Sequence, residues 1–336
     1  MSQTALISIL IPFKNTAAFL PECFDSILNQ TYTHWEIIAV DDGSEDESWS
    51  LVQSYATKHS NIKLRSNHGK GIIPALQTAY KASCGDLITR MDSDDIMTAN
   101  KLNVLATSLL RKGAGHVAIG KVRYFSKSGI SDGYARYEKW LNGLTQNGTN
   151  YTEIYKECVI PSPCWMVYKT DLDRCNAFDL DRYPEDYDLA FRFYEMGLQC
   201  IPCSEILHLW RDYAHRTSRT SVHYAQNYFL DIKLYYFLKL DRDAERPLVL
   251  WGAGGKGKSI AKKLIESQIH FYWLCDNPNK IGKKIYGIEM LHFNVLSQLK
   301  KPQSIITVAN YDAQKHIRNH LHGLGYTATT DSFFFC

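Results

Sequence analysis

Asp92-Ser93-Asp94-Asp95 sets three carboxylates within four residues, directly after the strand-like run Leu87–Met91. Such a turn has two readings. In the first, Ser93 or Asp95 caps a helix that starts near Thr98, because short polar side chains satisfy the free N–H groups of a first turn. In the second, alternate carboxylates hold a divalent cation that bridges a diphosphate. Mg²⁺ and Mn²⁺ prefer oxygen ligands and are commonly held by one or two carboxylates plus substrate phosphates. Two further acidic groups follow the same logic. Asp41-Asp42-Gly43-Ser44 ends the apolar run Trp35–Val40, and Glu185-Asp186 opens the charged helical stretch Asp186–Met196. A carboxylate there reads as a surface group on an amphipathic helix. The polar segment Trp210–Ser221 carries Arg211, His215, Arg216 and Arg219. It reads as a solvated basic loop or as a set of phosphate contacts, to which arginine is suited.

A glycine loop forms a second candidate site. Leu248–Trp251 runs into Gly252-Ala253-Gly254-Gly255-Lys256-Gly257-Lys258-Ser259. Gly252, Gly254 and Gly257 satisfy GxGxxG, and Gly252, Gly257, Lys258 and Ser259 satisfy the phosphate-loop pattern. A dinucleotide-type unit needs a second strand ending in an acid some 20 residues on, and Asp276 follows Phe271–Cys275, 24 positions after Gly252. A phosphate-loop ATPase needs a Mg²⁺-binding acid after a later strand, and Ser304–Ala309 ends without one. The expectation is a small Rossmann-like domain that does not hydrolyse ATP. Either Gly252, Gly254, Gly257 and Asp276 contact a ligand there, or the glycines only permit close strand–helix packing.

The elements that position the first site alternate in type. Leu6–Ile11 is a buried strand ending at Pro12, Ala17–Gln30 a helix, Trp35–Val40 a strand, Glu47–His59 a helix, Ile62–Arg65 a strand, Ile72–Ala82 a helix and Leu87–Met91 a strand. This order implies a parallel sheet with helices on both faces, whose ligands bind at the carboxyl ends of the strands, where Asp41, Asp42 and the 92–95 cluster fall. Residues 116–180 are less regular. Tyr224–Leu240 reads as a helix, and the polar stretch to Pro247 closes it. The expected organisation is a catalytic domain over 1–222, a helical linker over 223–246 and the Rossmann-like domain over 247–336.

Composition excludes several classes. The 336 residues carry a net charge of +3, too little to argue for nucleic-acid binding by field alone. No run of about 18 apolar residues exists, so no transmembrane helix is expected, and the first residues lack the pattern of a signal peptide. Nine cysteines, an odd number without a framework, read as free thiols of a cytoplasmic protein. Cys200-Ile-Pro-Cys203 lacks the second pair that a zinc site would want.

Five ordered motifs carry a resemblance. They are Ile7-Ser8-Ile9-Leu10-Ile11-Pro12-Phe13-Lys14-Asn15, Ser26-Ile27-Leu28-Asn29-Gln30-Thr31-Tyr32, Glu36–Ser44, Arg90–Asp95 and Pro184–Leu189. Over roughly residues 5–221 the set resembles glycosyltransferase family 2. The resemblance implies an α/β GT-A fold, a nucleotide-diphosphate sugar as donor, a glycan or lipid-linked acceptor with peripheral membrane contact possible, and Mn²⁺ or Mg²⁺ as cofactor. It implies donor contacts from Pro12, Asp41, Asp42, Arg90, Asp92 and Arg211. It further implies a metal site at Asp94 with Asp92, and catalysis by Glu185-Asp186, with Asp186 as general base of an inverting transfer. One place departs from the family. Where many members carry a histidine near the metal, this chain has Tyr213, and His208 or His215 would have to substitute.

Two other functions fit parts of the pattern. A sugar nucleotidyltransferase uses a similar sheet and metal, but would carry a glycine-rich loop after the first strand, where Pro12-Phe13-Lys14-Asn15-Thr16 stands. A non-catalytic sugar-nucleotide-binding protein would not need both Asp94 and Asp186.

Overall fold

The computed structural model describes residues 5–178, 182–214, 216, 219 and 229–336. The chain divides into two compact units, Met1–Asn150 with Val159–Tyr224, and Tyr151–Cys158 with Ala225–Cys336.

The first unit begins with the expected alternation. β1 (Ile7–Phe13), α1 (Leu20–Leu28), β2 (Trp35–Asp41), α2 (Ser48–Lys58), β3 (Ile62–Ser66), α3 (Ile72–Ala82) and β4 (Leu87–Arg90) follow one another. β3, β2, β1 and β4 lie side by side in that order, all parallel. β1 and β2 are buried along their whole length, as strands covered on both faces must be, and this is why they read as mainly apolar runs, with Ser8 and Glu36 bonded to each other at 2.6 Å. Along β1 the side chains alternate. Ile7, Ile9, Ile11 and Phe13 join a core with Leu20, Phe24 and Ile27 of α1.

β1 runs through Pro12 rather than stopping there. Leu10 bonds toward β4, accepting the Met91 N–H at 3.0 Å, and pairing on that side ends at Leu10–Arg90. Pro12 points the same way by the alternation of the ladder, so its missing N–H falls where no partner strand remains.

Beyond β4 the sheet becomes mixed. β5 (Ile96–Met97), α4 (Lys101–Lys112), β6 (His116–Phe125), α5 (Asp132–Asn147), β7 (Trp165–Tyr168), α6 (Lys169–Arg174), α7 (Glu185–Glu195) and β8 (Gln199–Arg211) complete it. The full order among the described residues is β3-β2-β1-β4-β7-β6-β8-β5. β7 is antiparallel to β4 and β6, β6 is parallel to β8, and β5 is antiparallel to β8. Residues 116–180 are therefore more regular than the sequence suggests. All nine cysteines are free thiols.

The second unit takes in the segment expected as a linker. Its helix α8 (Leu230–Tyr236), extended by one wide turn over Phe237–Asp241, buries Ile232, Leu234, Tyr236 and Phe237. Tyr155 stacks at 5.6 Å on Phe335 and hydrogen-bonds Asp241, so residues 151–158 also belong to this unit. The remainder is β9 (Leu248–Trp251), α9 (Gly255–Glu266), β10 (Tyr272–Cys275), β11 (Lys284–Ile285), β12 (Ile288–His292), β13 (Gln303–Ile306), α10 (Tyr311–Gly323) and β14 (Ser332–Phe334). The sheet order is β11-β12-β10-β9-β13-β14. Its five parallel strands fall in the 3-2-1-4-5 order of a doubly wound nucleotide fold, with β11 as an antiparallel edge. No described helix is long and apolar enough to cross a membrane.

Candidate active site

Asp41 and Asp42 sit at the carboxyl end of β2, beside the end of β1. The Phe13–Asp41 register and the Asp42 N–H on the Phe13 carbonyl at 2.9 Å join the two ends. Asp41 is buried and both its oxygens accept from the Ser44 N–H at 3.2 Å. Asp42 Oδ1 accepts from Asn67 Nδ2 at 2.6 Å and from the Gly71 N–H at 2.8 Å. Its Oδ2 lies 3.9 Å from Lys14 Nζ. The Gly71 backbone has φ +97°, which an L side chain rarely adopts, and this lets its N–H turn toward Asp42.

The acidic turn after β4 is held from several sides. Ser26 Oγ accepts the Met97 N–H at 3.1 Å. Gln30 donates to the Thr98 carbonyl at 2.7 Å and accepts the Leu102 N–H at 3.0 Å. The second motif of the sequence thus ties α1 to the segment behind the acids and satisfies an N-terminal donor of α4. That helix starts at Lys101 after Asn100, with no side-chain cap, so neither Ser93 nor Asp95 caps it. Asp95 instead accepts from His208 Nε2 at 2.9 Å and from the Arg211 N–H at 2.7 Å.

Arg90 joins two acidic groups that are far apart in sequence. Its side chain is 7% exposed. Its Nε and NH2 lie 2.9 Å from Asp92 Oδ1, and its NH1 lies 2.9 Å from Glu185 Oε1. Although burial opposes the charged form, the neighbouring Asp92 and Glu185 hold the guanidinium firmly protonated. For Asp92, burial is likewise outweighed by Arg90 and then Arg216, so its carboxyl lies below the usual range. Arg90 is thus committed inside the protein rather than facing a donor. Glu185 is 6% exposed and ion-paired, with Oε2 buried and without a partner.

The next residue on each side of this bridge behaves differently. Burial, then the charges of Asp95 and Asp92, push Asp94 up to about 7, although Tyr213 donates to its Oδ2 at 2.9 Å. Burial and then Glu185 push Asp186 up to about 7. Both are partly exposed carboxylates in surroundings that carry too little positive charge. A cation would offset the charge at Asp94, and a carboxylate with a raised pKa, such as Asp186, could accept a proton near neutrality.

The basic segment is engaged within the protein as well. The Arg211 guanidinium ion-pairs Glu22, donates from Nε to the Asp94 carbonyl at 2.7 Å, and lies over the rings of Phe19 and Phe125 at 5.0 and 4.6 Å. It is therefore not a free donor contact. Arg219 pairs with Asp212 at 2.7 Å. His208 is fully buried between Asp95 and Lys101, so it cannot serve as the substitute metal ligand. Tyr213, which occupies the histidine slot, does reach Asp94. His215, like Tyr228 of the expected 224–240 helix, lies outside the described residues. Among the described residues no group of three His, Cys, Asp or Glu side chains is gathered to hold a metal.

The chain matches Glycosyl transferase family 2 over residues 8–175, half of its length. The chain belongs to glycosyltransferase family 2. Among curated relatives, Glycosyltransferase GlyG of Streptococcus pneumoniae is 35% identical over 65% of this chain and 74% of its own. An Escherichia coli protein, UDP-Glc:alpha-D-GlcNAc-diphosphoundecaprenol beta-1,3-glucosyltransferase WfgD, is 37% identical over 68% of this chain and 83% of its own. Among solved structures, S. aureus TarS in complex with UDP-GlcNAc superposes with a TM-score of 0.55 at 17% identity, over 70% of this chain and 68% of that one. This likeness shows the GT-A fold. The protein is a glycosyltransferase, and its family match begins on β1 and ends past β7, so it spans the strands that present Asp42 and Asp94.

In the second unit the glycines of the loop have different jobs. A Cβ on Gly257 would lie 2.1 Å from the Gly252 carbonyl oxygen, and one on Gly252, at φ +122°, would meet Thr307 Oγ1 at 2.6 Å. Both are required by the packing of α9 on β9 and β13. A Cβ on Gly254 would meet nothing within 4 Å. The loop carbonyls of Gly252 and Ala253 accept from Trp273 Nε1 and Lys280 Nζ, both at 2.8 Å. Asp276 is exposed past the end of β10.

Proposed function

We propose that the protein is an inverting, metal-dependent glycosyltransferase. It transfers a sugar from a nucleotide-diphosphate donor to an acceptor hydroxyl in the assembly of a surface glycan. The observation that carries this reading is the Arg90 bridge. One buried guanidinium joins Asp92, in the acidic turn, to Glu185, the neighbour of Asp186.

The donor set fits a hard divalent ion. Asp94 is a carboxylate short of compensating charge, next to Asp92, and two such groups with substrate phosphates satisfy Mg²⁺ or Mn²⁺. Bound there, the ion supplies charge neutralisation at the departing diphosphate. The remaining roles belong to the chain. Asp42, fixed by Asn67 and Gly71, and Pro12 line the nucleoside end, with Asp41 beneath them holding the Ser44 turn. Arg90 keeps the acidic turn and α7 in register. Asp186 takes the proton of the acceptor hydroxyl as its oxygen attacks the anomeric carbon. Attack from the face opposite the leaving group needs no covalent intermediate, and the configuration inverts. A base with a pKa near the working pH is the efficient choice. WfgD is named for a UDP-glucose donor and a diphosphoundecaprenol acceptor, which supports a UDP-sugar and a lipid-linked acceptor as the first pair to try.

A panel of nucleotide sugars with Mn²⁺ or Mg²⁺, assayed for nucleoside diphosphate release, tests the reading. Release that EDTA abolishes and Asp94→Asn abolishes is expected. Undiminished turnover in EDTA, or release of pyrophosphate in place of nucleoside diphosphate, would refute it.

A further inference from the structure

We propose that Lys101 is a positioning residue, whose ammonium acts through His208 and Asp95 to set the acidic turn; the inference rests on the reading of Asp94 as a cation ligand. The three groups form one buried chain. Lys101, His208 and Asp95 are each 0% exposed. Lys101 Nζ donates to the Pro163 carbonyl and lies 3.2 Å from His208 Nδ1. His208 Nε2 lies 2.9 Å from Asp95 Oδ2.

Burial pulls Lys101 below the usual ammonium range, with Cys164, Asp95 and Asp92 opposing it; as an ammonium it has only donors, and a neutral imidazole has one donor and one acceptor. Facing Lys101, Nδ1 must accept. The ring proton therefore sits on Nε2 and is donated to Asp95. Burial, and then the charge of Lys101, hold His208 well below the usual range, so the ring stays neutral. The other Asp95 oxygen accepts the Arg211 N–H at 2.7 Å, so both oxygens are taken by the protein.

Asp95 in turn controls its neighbours. Its own N–H donates to the Asp92 carbonyl at 3.2 Å. The Arg211 backbone that it fixes carries the guanidinium whose Nε donates to the Asp94 carbonyl at 2.7 Å. The Met97–His208 pairing of β5 with β8 brings the imidazole under the turn. Removing the ammonium frees the imidazole to turn its proton to Nδ1, and Asp95 then faces a lone pair.

Three measurements on the full-length protein decide the matter. In the EDTA-treated native protein, labelled with ¹⁵N-histidine and assigned with His208→Gln, the ring proton is expected on Nε2; a proton on Nδ1 overturns the proposal. Mn²⁺ binding is then followed by electron paramagnetic resonance with UDP or GDP, whichever the native protein takes. Loss of a group bonded directly to a metal ligand typically costs ~10–100-fold in affinity, and a group acting further back is expected at the lower end, ~10-fold. That loss is expected for Lys101→Met and for His208→Leu. His208→Gln, whose amide can donate to Asp95 and accept from Lys101, is expected to bind as the native protein does. A merely structural role would lower stability in all three variants without this split. Asp94→Asn runs alongside. If it loses Mn²⁺ and Lys101→Met does not, the positioning role alone is wrong. If Asp94→Asn binds normally, the cation site is wrong and the proposal falls with it. Should Lys101→Met and His208→Leu fail to fold, a folded His208→Gln that has lost Mn²⁺ also overturns it.

Discussion

Replacing Arg90 by methionine removes one guanidinium and leaves two acidic groups without their partner. Glu185 has a 5% exposed side chain and has no other ion pair among the described residues, whereas Asp92 is 19% exposed. Breaking a buried pair by removing one member typically costs ~3–5 kcal/mol, because the remaining charge stays buried. Arg90→Met should cost about that much, visible as faster hydrogen exchange in β4 and α7 and as a lower urea midpoint for the first unit. Adding Glu185→Met converts the pair to apolar packing, which is often near neutral. Asp92, 19% exposed, would remain unpaired, at ~1–3 kcal/mol, the scale of a largely buried polar group left without its partner. The double variant should therefore be more stable than Arg90→Met alone, with a coupling of ~2 kcal/mol or more, in the range found for contacting residues. Activity should not return with stability, because Asp186 and Asp92 have lost their common anchor. If Arg90→Met unfolds at the native midpoint, or if the two substitutions are additive, the bridge does not do what its geometry implies.

Four further outcomes follow from the site and the loop. Asp186→Asn should lower turnover by ~10²–10⁴, the usual range for a lost general base, with donor affinity kept, as measured by kcat and donor binding separately. In the native enzyme kcat/KM should fall as pH drops through about 7, where burial and Glu185 have raised Asp186; a flat profile between pH 6 and 8 would sink the assignment. The sign for stability is opposite. A raised carboxyl penalises the fold once it ionises, so stability is lost as pH rises toward and through 7, and Asp186→Asn should raise the unfolding midpoint at alkaline pH. In the second unit, Gly257→Ala should cost ~1–3 kcal/mol, as overpacking does, because the Gly252 carbonyl stands 2.1 Å from the new carbon. Gly254→Ala, which meets nothing, should be near neutral. Equal midpoints for the two alanine variants, followed by Trp251 and Trp273 fluorescence, would refute the packing account.

The first half of the fold was legible because a parallel strand covered on both faces is mostly apolar. Trp35–Val40 and Leu87–Met91 read as such strands although Glu36, Thr89 and Arg90 interrupt them, and the carboxylates that follow then stand at the strand ends. The Arg90 and Arg211 contacts were not legible, because a buried arginine has the same letter as an exposed one. The Arg90–Glu185 bond spans 95 positions and leaves no periodic trace. Lys101 did leave one. It lies at helical spacing with Leu105 and Leu109 on the buried side of α4, and a lysine on an apolar stripe calls for a buried partner. His208, alternating along β8 with Trp210 on buried positions, is that partner.

The second unit begins earlier in the chain than the expected 247–336 domain, with residues 151–158 and 225–246. Polar residues from Asp241 to Arg246 look like a solvated linker, yet several are structural donors and acceptors. The Gln303 amide donates to the Asp241 carbonyl at 2.6 Å and accepts the Asp243 N–H at 2.8 Å. Arg246 pairs with Asp331 at 2.5 Å and donates to the Lys301 carbonyl at 2.7 Å. Such bonds close the start of β9 against β13 and β14. The aromatic group of Tyr155, Phe237, Phe333 and Phe335 needs both α8 and residues 151–158 to be covered. A cut at residue 246 would expose these rings and strip Lys233 of the Phe335 carbonyl it donates to at 3.2 Å, leaving it only the Lys156 carbonyl at 2.7 Å. The cooperative piece is thus the whole second unit with its 151–158 segment, which is supplied from within the catalytic sequence. A chain ending at residue 245 would lose the cover for Tyr155 along with the domain.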